Sequence, residues 1–412
     1  MTADHHGAAR SVFPLDNAIQ HYAWGSATRL PELLGQAPDG QPAAELWLGA
    51  HPSAPSHVQH ADGTTTALDA MIVGDPQGTL GRHVSDEFGP RLPYLLKVLA
   101  ADRALSLQVH PKPHLARAGF NRENQDGVPL DAPYRSFHDD QHKPEMLVAV
   151  SQFEALAGFR SSRNILALLT GLEGPLVAAV REELTRDRSA RGIRAAFARL
   201  IAARSESGCP DLVAETIESV RARAAAGSSY ERADATVLRL AQEHPGDPGA
   251  VASLLLNRVT LEPGEALFLA AGEIHAYLSG LGVEIMASSD NVLRAGLTTK
   301  HVDVAALFEA ASFEPSPPLV PRQERSGARG QSITYRPPVR EFALTVIDVD
   351  DAEPVPLPDS GPRTVICLEG DATLIAGDTG TALPQGRSAF ITHAAGPVTL
   401  EGTALIACAW VP

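Results

Sequence analysis

The feature that most constrains the fold is a block of helical periodicity set inside strand-like text. From about Ser161 to Ala250 the chain is dominated by Ala, Arg, Leu and Glu. Ile193, Phe197, Leu200 and Ile201 recur at i, i+4, i+7 and i+8, and Leu212, Val213, Ile217 and Val220 do much the same. That spacing places one apolar stripe on each helix. Breaks are expected at Ser205 to Asp211, Ala224 to Ser229 and His244 to Gly249, where Gly, Pro, Ser and Asp gather. The text on either side differs. Short apolar runs such as Pro93 to Ala101 and Pro144 to Ser151 lie between Pro and Gly punctuation before the block. After Ala252 the chain reads as strand, turn at Glu262 to Glu265, strand, turn at Ala271-Gly272, strand. A Pro-rich linker, Pro315 to Gln323, leads into a last stretch in which apolar and polar residues alternate between Gly and Asp turns. The chain is therefore predicted to be mainly β with an α-helical insertion. The boundaries are 1–160 and 251–320 for a discontinuous β domain, 161–250 for the insertion, and 321–412 for a C-terminal β domain of sandwich or small-barrel type.

A chain of 412 residues is too long for one ordinary core, which agrees with that division. Hydrophobic residues make up 44% and charged residues 20%, a globular composition. The net charge of -15 argues against nucleic acid and against an anionic membrane surface as partners. It leaves room for a small anionic ligand held by a local cationic pocket. No run of about 18 apolar residues is present, so no transmembrane helix is expected. The polar start, MTADHHGAARSVFPLDN, has no apolar core of an export signal. Cys209, Cys367 and Cys408 are widely spaced, so the cytoplasm is the expected compartment.

Four segments carry residue types capable of chemistry. In SLQVHP, strand alternation puts Ser106, Gln108 and His110 on one face and Leu105, Leu107 and Val109 on the other. In HKPEM, Lys143 and Glu145 share a side, next to His142. In EIHAYLSG, His275 and Tyr277 share a face. The segment from Val283 to Lys300 brings Glu284, Asp290, Arg294 and Lys300 into turn-rich text that could form an anion site. Each segment alone is compatible with ordinary polar surface, a salt-bridged loop or a satisfied core histidine. Taken together, Gln108, His110, Glu145 and His275 offer four N/O ligands without a thiolate. Such a set suits Zn²⁺, and also Mn²⁺ or Fe²⁺. With one carboxylate the ion would keep a net charge near +1 and act as a Lewis acid.

On these residues the chain resembles the type I phosphomannose isomerase family of the cupin superfamily. FHDDQHKPEM is similar to the family signature around HKPE, with Phe137 in place of tyrosine and Gln141 in place of asparagine. His275 to Lys300 resembles the second family signature nearly throughout, with Thr299 where proline is usual; Ala270 likewise stands where proline is common. Tyr22 to Ser26, Ala44 to Ser56 and Pro93 to Leu99 match further, so the resemblance runs from about residue 13 to 310. It implies cupin-type (jelly-roll) β-barrels, a catalytic barrel and a C-terminal β domain. It implies one zinc ion per chain on Gln108, His110, Glu145 and His275. It implies Arg294 as an essential cation, Ser106 and Lys300 at the phosphate end, and Lys143, Glu284, Tyr277, Asp290 and His142 lining the substrate pocket. The implied reaction is interconversion of mannose 6-phosphate and fructose 6-phosphate through a cis-enediol(ate). It would supply mannose metabolism and GDP-mannose precursors or sugar catabolism, with a phosphosugar as partner and a monomeric chain. The general base is open among His142, Lys143, Glu284 and a zinc-bound hydroxide. Two other readings keep the barrel: an Fe(II) cupin dioxygenase, which needs only two histidines and a carboxylate, and a non-catalytic sugar-phosphate-binding protein. Gln108 as a fourth ligand and the cations Lys143, Arg294 and Lys300 weigh against the first. The full set of acids and cations weighs against the second.

Overall fold

The computed structural model describes residues 11–412 apart from 328, 351, 352 and 360. The polar amino-terminal stretch read as lacking an export signal therefore lies largely outside the described residues. No helix among the described residues is long and apolar enough to cross a membrane. Strand accounts for 32% and helix for 29%, and the strands are organised in two large sheets of cupin type.

The first sheet has ten strands. Its path runs Leu256–Leu261, Phe153–Phe159, His275–Ala287, Tyr94–Ala101, Glu45–Gly49 and Ala18–Gln20, with Leu107–Val109, Glu145–Ala149, Ala266–Leu269 and Leu293–Gly296 attached. The 13-residue strand His275–Ala287 organises it. Up to Ser279 this strand pairs with Phe153–Phe159 and Leu107–Val109. From Gly280 on it pairs with Tyr94–Ala101 and, from Gly282, with Glu145–Ala149. Gly280 sits at the change of partners with φ +132°, and a Cβ there would lie 2.5 Å from the Phe153 ring. The strand can bend there because glycine alone tolerates both that backbone and that approach.

The second sheet has eleven strands, built mostly from Arg322 onward. It also takes in the amino-terminal strand Val12–Asp16, which pairs antiparallel with Ser388–Ile391. Alternation along Tyr94–Ala101 explains how the two sheets meet. Leu96, Val98 and Ala100 point into a shared core with Phe342, Leu344, Phe390 and Ala409. Tyr94 reaches across it and donates a 3.1 Å hydrogen bond to the carbonyl of Ala409. The expected barrels are not closed ladders; the strand order in each sheet has free ends.

Helices fill the interval read as helical. They run Ser162–Leu168, Pro175–Arg186, Ala190–Ala203, Cys209–Ala225 and Glu231–Glu243. Ile193, Phe197, Leu200, Ile201, Val213, Ile217 and Val220 are all buried in one cluster. That cluster continues under the sheet through Leu107, Val109 and Leu293, so the helices brace the back of the strands that carry the SLQVHP and Arg294 segments.

Candidate metal centre and adjoining cavity

The opposite face of those strands lines a cavity of about 600 Å³. Register places its walls. On neighbouring strands Gln108 lies directly across from His275 on one side and from Arg294 on the other. Residues opposite one another in an antiparallel ladder point to the same face. Hence an imidazole, an amide and a guanidinium form one row. A register shift between Arg294 and Gly296 and a left-handed backbone at Leu297 (φ 54°) then turn the chain toward Thr298, Thr299 and Lys300. Ser106, Gln108, Lys143, Glu145, Tyr277, Glu284, Asp290, Arg294 and Lys300 all line the cavity.

His110, Glu145 and His275 come together where Glu145 lines the cavity, with one ligand atom of each within 4.8 Å of the others. His110 Nε2 is 3.3 Å from Glu145 Oε1, and His275 Nε2 is 3.4 Å from Glu145 Oε2. Both rings are oriented from behind. His110 Nδ1 donates to the carbonyl of Asn291 at 2.6 Å, and His275 Nδ1 to that of Glu273 at 2.9 Å. A carbonyl only accepts, so each Nδ1 carries the proton and each Nε2 presents a lone pair. Those two Nε2 atoms and Glu145 Oε2 are buried without a hydrogen-bond partner. Lone pairs aimed at a carboxylate repel unless a cation lies between them. Charge points the same way. Glu45, Glu145 and Glu284 are three buried carboxylates, and among the described residues two lysines, Lys97 and Lys143, form ion pairs with them. Burial pushes His110 down to about 4, which keeps the ring neutral. Burial opposes ionisation of Glu145, yet its charged surroundings, the Lys143 ammonium among them, hold it well below the usual carboxylate range. Lys143 Nζ lies 3.1 Å from Glu145 Oε1. The donor set thus fits a divalent cation held by two neutral imidazoles and a carboxylate, with the Gln108 amide beside them.

A second buried network adjoins the first. Lys97 Nζ lies 3.5 Å from Glu45 Oε2 and 3.3 Å from Glu284 Oε2, 5.2 Å from the centre of the Trp47 ring. Trp47 Nε1 donates to Glu45 at 2.6 Å. Burial alone would lower the Lys97 pKa, but Glu45 and Glu284 overcome it and raise it above its ordinary value. Burial and the neighbouring Glu145 raise the Glu284 carboxyl, partly offset by Lys97. Burial likewise holds Arg294 below its ordinary pKa, and burial together with Arg294 holds Lys300 below its own. Two partly desolvated cations side by side favour an anion between them.

One expectation fails. His142 does not line the cavity; its Nε2 is paired with Glu341 Oε1 at 2.6 Å, on the side of the C-terminal sheet. The residue before Lys143 on an extended segment points away from it, so the two neighbours cannot share a wall. Several lining residues escaped sequence reasoning. Lys97 carried a usable signal, being the lone charge in an eight-residue strand buried throughout. His51, which does not itself line the cavity but lies 3.4 Å from the lining residue Asp290, had none beyond its motif. Glu243 and His244 reach the cavity from the end of a helix of the insertion, and no local pattern reveals that.

Cupin-type sheets with a buried His-Glu-His cluster beside a cavity that carries Arg294 and Lys300 on its wall define a class: metal-binding cupins. Comparison narrows it. Residues 12–162 match the family described as phosphomannose isomerase type I, catalytic domain, and residues 332–379 the type I C-terminal family. Mannose-6-phosphate isomerase of Escherichia coli is 39% identical over 397 residues, covering 94% of this chain and 96% of that one. The Bos taurus enzyme is 36% identical over 364 residues, 83% of each chain. A crystal structure of zinc-bound mannose 6-phosphate isomerase superposes with a TM-score of 0.88 at 36% identity, covering 98% of this chain and 100% of that one. A variant of the Salmonella typhimurium phosphomannose isomerase superposes at 0.89, with 35% identity and the same coverage. The chain belongs to the type I phosphomannose isomerase family.

Proposed function

We propose that this chain is a zinc-dependent mannose-6-phosphate isomerase, interconverting mannose 6-phosphate and fructose 6-phosphate. The observation that carries the reading is a cluster of three unpartnered, buried ligand atoms, joined through Glu145 to a cavity that has the Arg294 and Lys300 cations on its wall. His110, Glu145 and His275, with Gln108, would hold the ion. When bound, zinc supplies Lewis-acid polarisation of a sugar oxygen.

The chain's own groups divide the remaining work. Lys300 and Ser106 bind the phosphate. Arg294 faces the charge that grows on O1 and O2 as the cis-enediol(ate) forms. Proton transfer between C2 and C1 falls to Glu284 or Lys143, with Tyr277 and Asp290 shaping the pocket. Glu284, with a raised pKa, is a better proton acceptor than an ordinary carboxylate. His142, paired with Glu341, acts in this reading as a tether for the HKPE segment rather than as a proton-transfer group. The domain boundaries read from the sequence, a monomeric state, a cytoplasmic location and supply of mannose metabolism belong to the same proposal.

A coupled assay for fructose 6-phosphate, run with metal analysis on the same sample, tests it. Turnover with about one zinc per chain is expected, lost on chelation and restored by zinc. Full turnover in metal-free protein would overturn the metal assignment, and no turnover in zinc-loaded protein the isomerase assignment.

A further inference from the structure

A second cavity, of about 530 Å³, lies where the helical insertion meets the edge of the first sheet. Arg160, Arg232, Arg258 and Ser228 contribute to its lining. In a chain of net charge -15 such a concentration of arginine is unusual and needs a physical reason. Two of the cations are engaged. Arg258 pairs with Glu154 at 2.6 Å and donates to Thr236 Oγ1 at 2.8 Å, and Arg232 lies 3.7 Å from the same Glu154. Arg160 is different. Its guanidinium makes no ion pair or hydrogen bond among the described residues, although its Nε is buried. A guanidinium is planar and always charged, so a buried N–H without an acceptor carries the full cost of lost hydration. Burial and the nearby Arg258 both disfavour its charge, and burial likewise that of Arg258. An anion in the cavity would remove both costs.

Two further groups face the same space. Ser228 is 8% exposed, and its hydroxyl accepts the amide of Tyr230 at 2.9 Å, which leaves the hydroxyl proton to donate. Ser228 to Tyr230 lead into the 13-residue helix Glu231–Glu243, so the positive end of that helix dipole adds to the field. The acids present do not cancel the cations. Glu154 is shared between Arg232 and Arg258, and Glu231 is exposed.

We infer that this cavity is a second anion site, taking a phosphate group, free or carried as a monoester by a small metabolite, on Arg160, Arg258 and Ser228. It is distinct from the metal-centred cavity. The helix that begins here ends at Glu243, which lines the metal-centred cavity, about 20 Å further along its axis.

Equilibrium dialysis at low ionic strength, with inorganic phosphate and with glucose 1-phosphate as probes, tests the site. Wild-type protein is expected to bind two equivalents of at least one probe, and Arg160→Gln one, with the second site weakened about tenfold or more. Tighter binding of glucose 1-phosphate at the Arg160-dependent site assigns a monoester; equal or tighter binding of inorganic phosphate assigns the free anion. Turnover of mannose 6-phosphate in phosphate-free buffer should match wild type in Arg160→Gln, confirming that the variant is folded. If it is not, a wild-type crystal grown in phosphate decides, with density expected against Arg160. A single binding site in wild-type protein, two sites unchanged in Arg160→Gln, or a crystal with phosphate only in the metal-centred cavity would overturn the assignment.

Discussion

Lys97 shows how one residue can hold a site together. Leu95, Lys97 and Leu99 point toward the cavity, while Leu96 and Val98 point into the core between the sheets. The ammonium is therefore fixed where two buried carboxylates, Glu45 and Glu284, need it. Lys97→Met keeps the length of the side chain and removes the charge, leaving both acids uncompensated. Unfolding in urea should show a loss of about 3–5 kcal/mol, as for other broken buried pairs; a loss under about 1 kcal/mol would mean the acids are protonated or solvated. Arg294 has a different role. It makes no ion pair among the described residues, so removing it strands no partner. Arg294→Ala should lower kcat by about 10²–10³ with a much smaller change in KM, as for loss of a fixed group facing transition-state charge. Equal, small changes in both would remove Arg294 from catalysis.

At the scale of elements, the helical insertion does more than cover the sheet. Arg204, at the end of the helix Ala190–Ala203, pairs with Asp247 at 2.6 Å. Asp247 Oδ2 also accepts the amide of Thr298 at 3.2 Å, and Arg204 donates to the Thr298 carbonyl. These bonds hold the loop that carries Lys300 in place. Asp247→Ala should raise KM for the phosphosugar about fivefold, the equivalent of about 1 kcal/mol of lost hydrogen bonding, and leave kcat nearly unchanged; an unaltered KM would show that the loop stands without the insertion. Helix positions were legible because apolar residues repeat at 3.6 in a local window. The expected breaks overlap the observed gaps after Ala203, Ala225 and Glu243, although the helix Cys209–Ala225 already begins inside the first of them. The strand after Ala271-Gly272 proved longer than its text, running to Ala287. Within that strand Gly280 marks a bend and a close approach to Phe153. That contact is set by a residue 127 positions away, so no local window contains it.

At the scale of the whole molecule, the two sheets are tied by Val12–Asp16, by Tyr94 and by the His142–Glu341 pair. Burial opposes ionisation of Glu341, but the hydrogen bond and charge of His142 hold its pKa below the ordinary carboxylate value. A carboxyl with a depressed folded-state pKa adds stability above its unfolded pKa and loses it as pH falls through the folded one. Glu341→Gln should therefore lower the thermal unfolding midpoint at neutral pH, and the difference from wild type should close in acid; a gap independent of pH would mean the pair contributes packing alone. The sequence by itself determined the order of strand and helix textures. It also determined which side chains share a face with Gln108, His110, Glu145 and His275, because both follow from periodicities of two and 3.6 that a few residues suffice to express. Only the tertiary structure decided that His142 faces away from the cavity, that Glu243 and Lys97 face into it, and that the amino-terminal strand completes the C-terminal sheet. Those outcomes depend on pairings between segments far apart in the chain, and the energy that selects them exists only once both partners are in place.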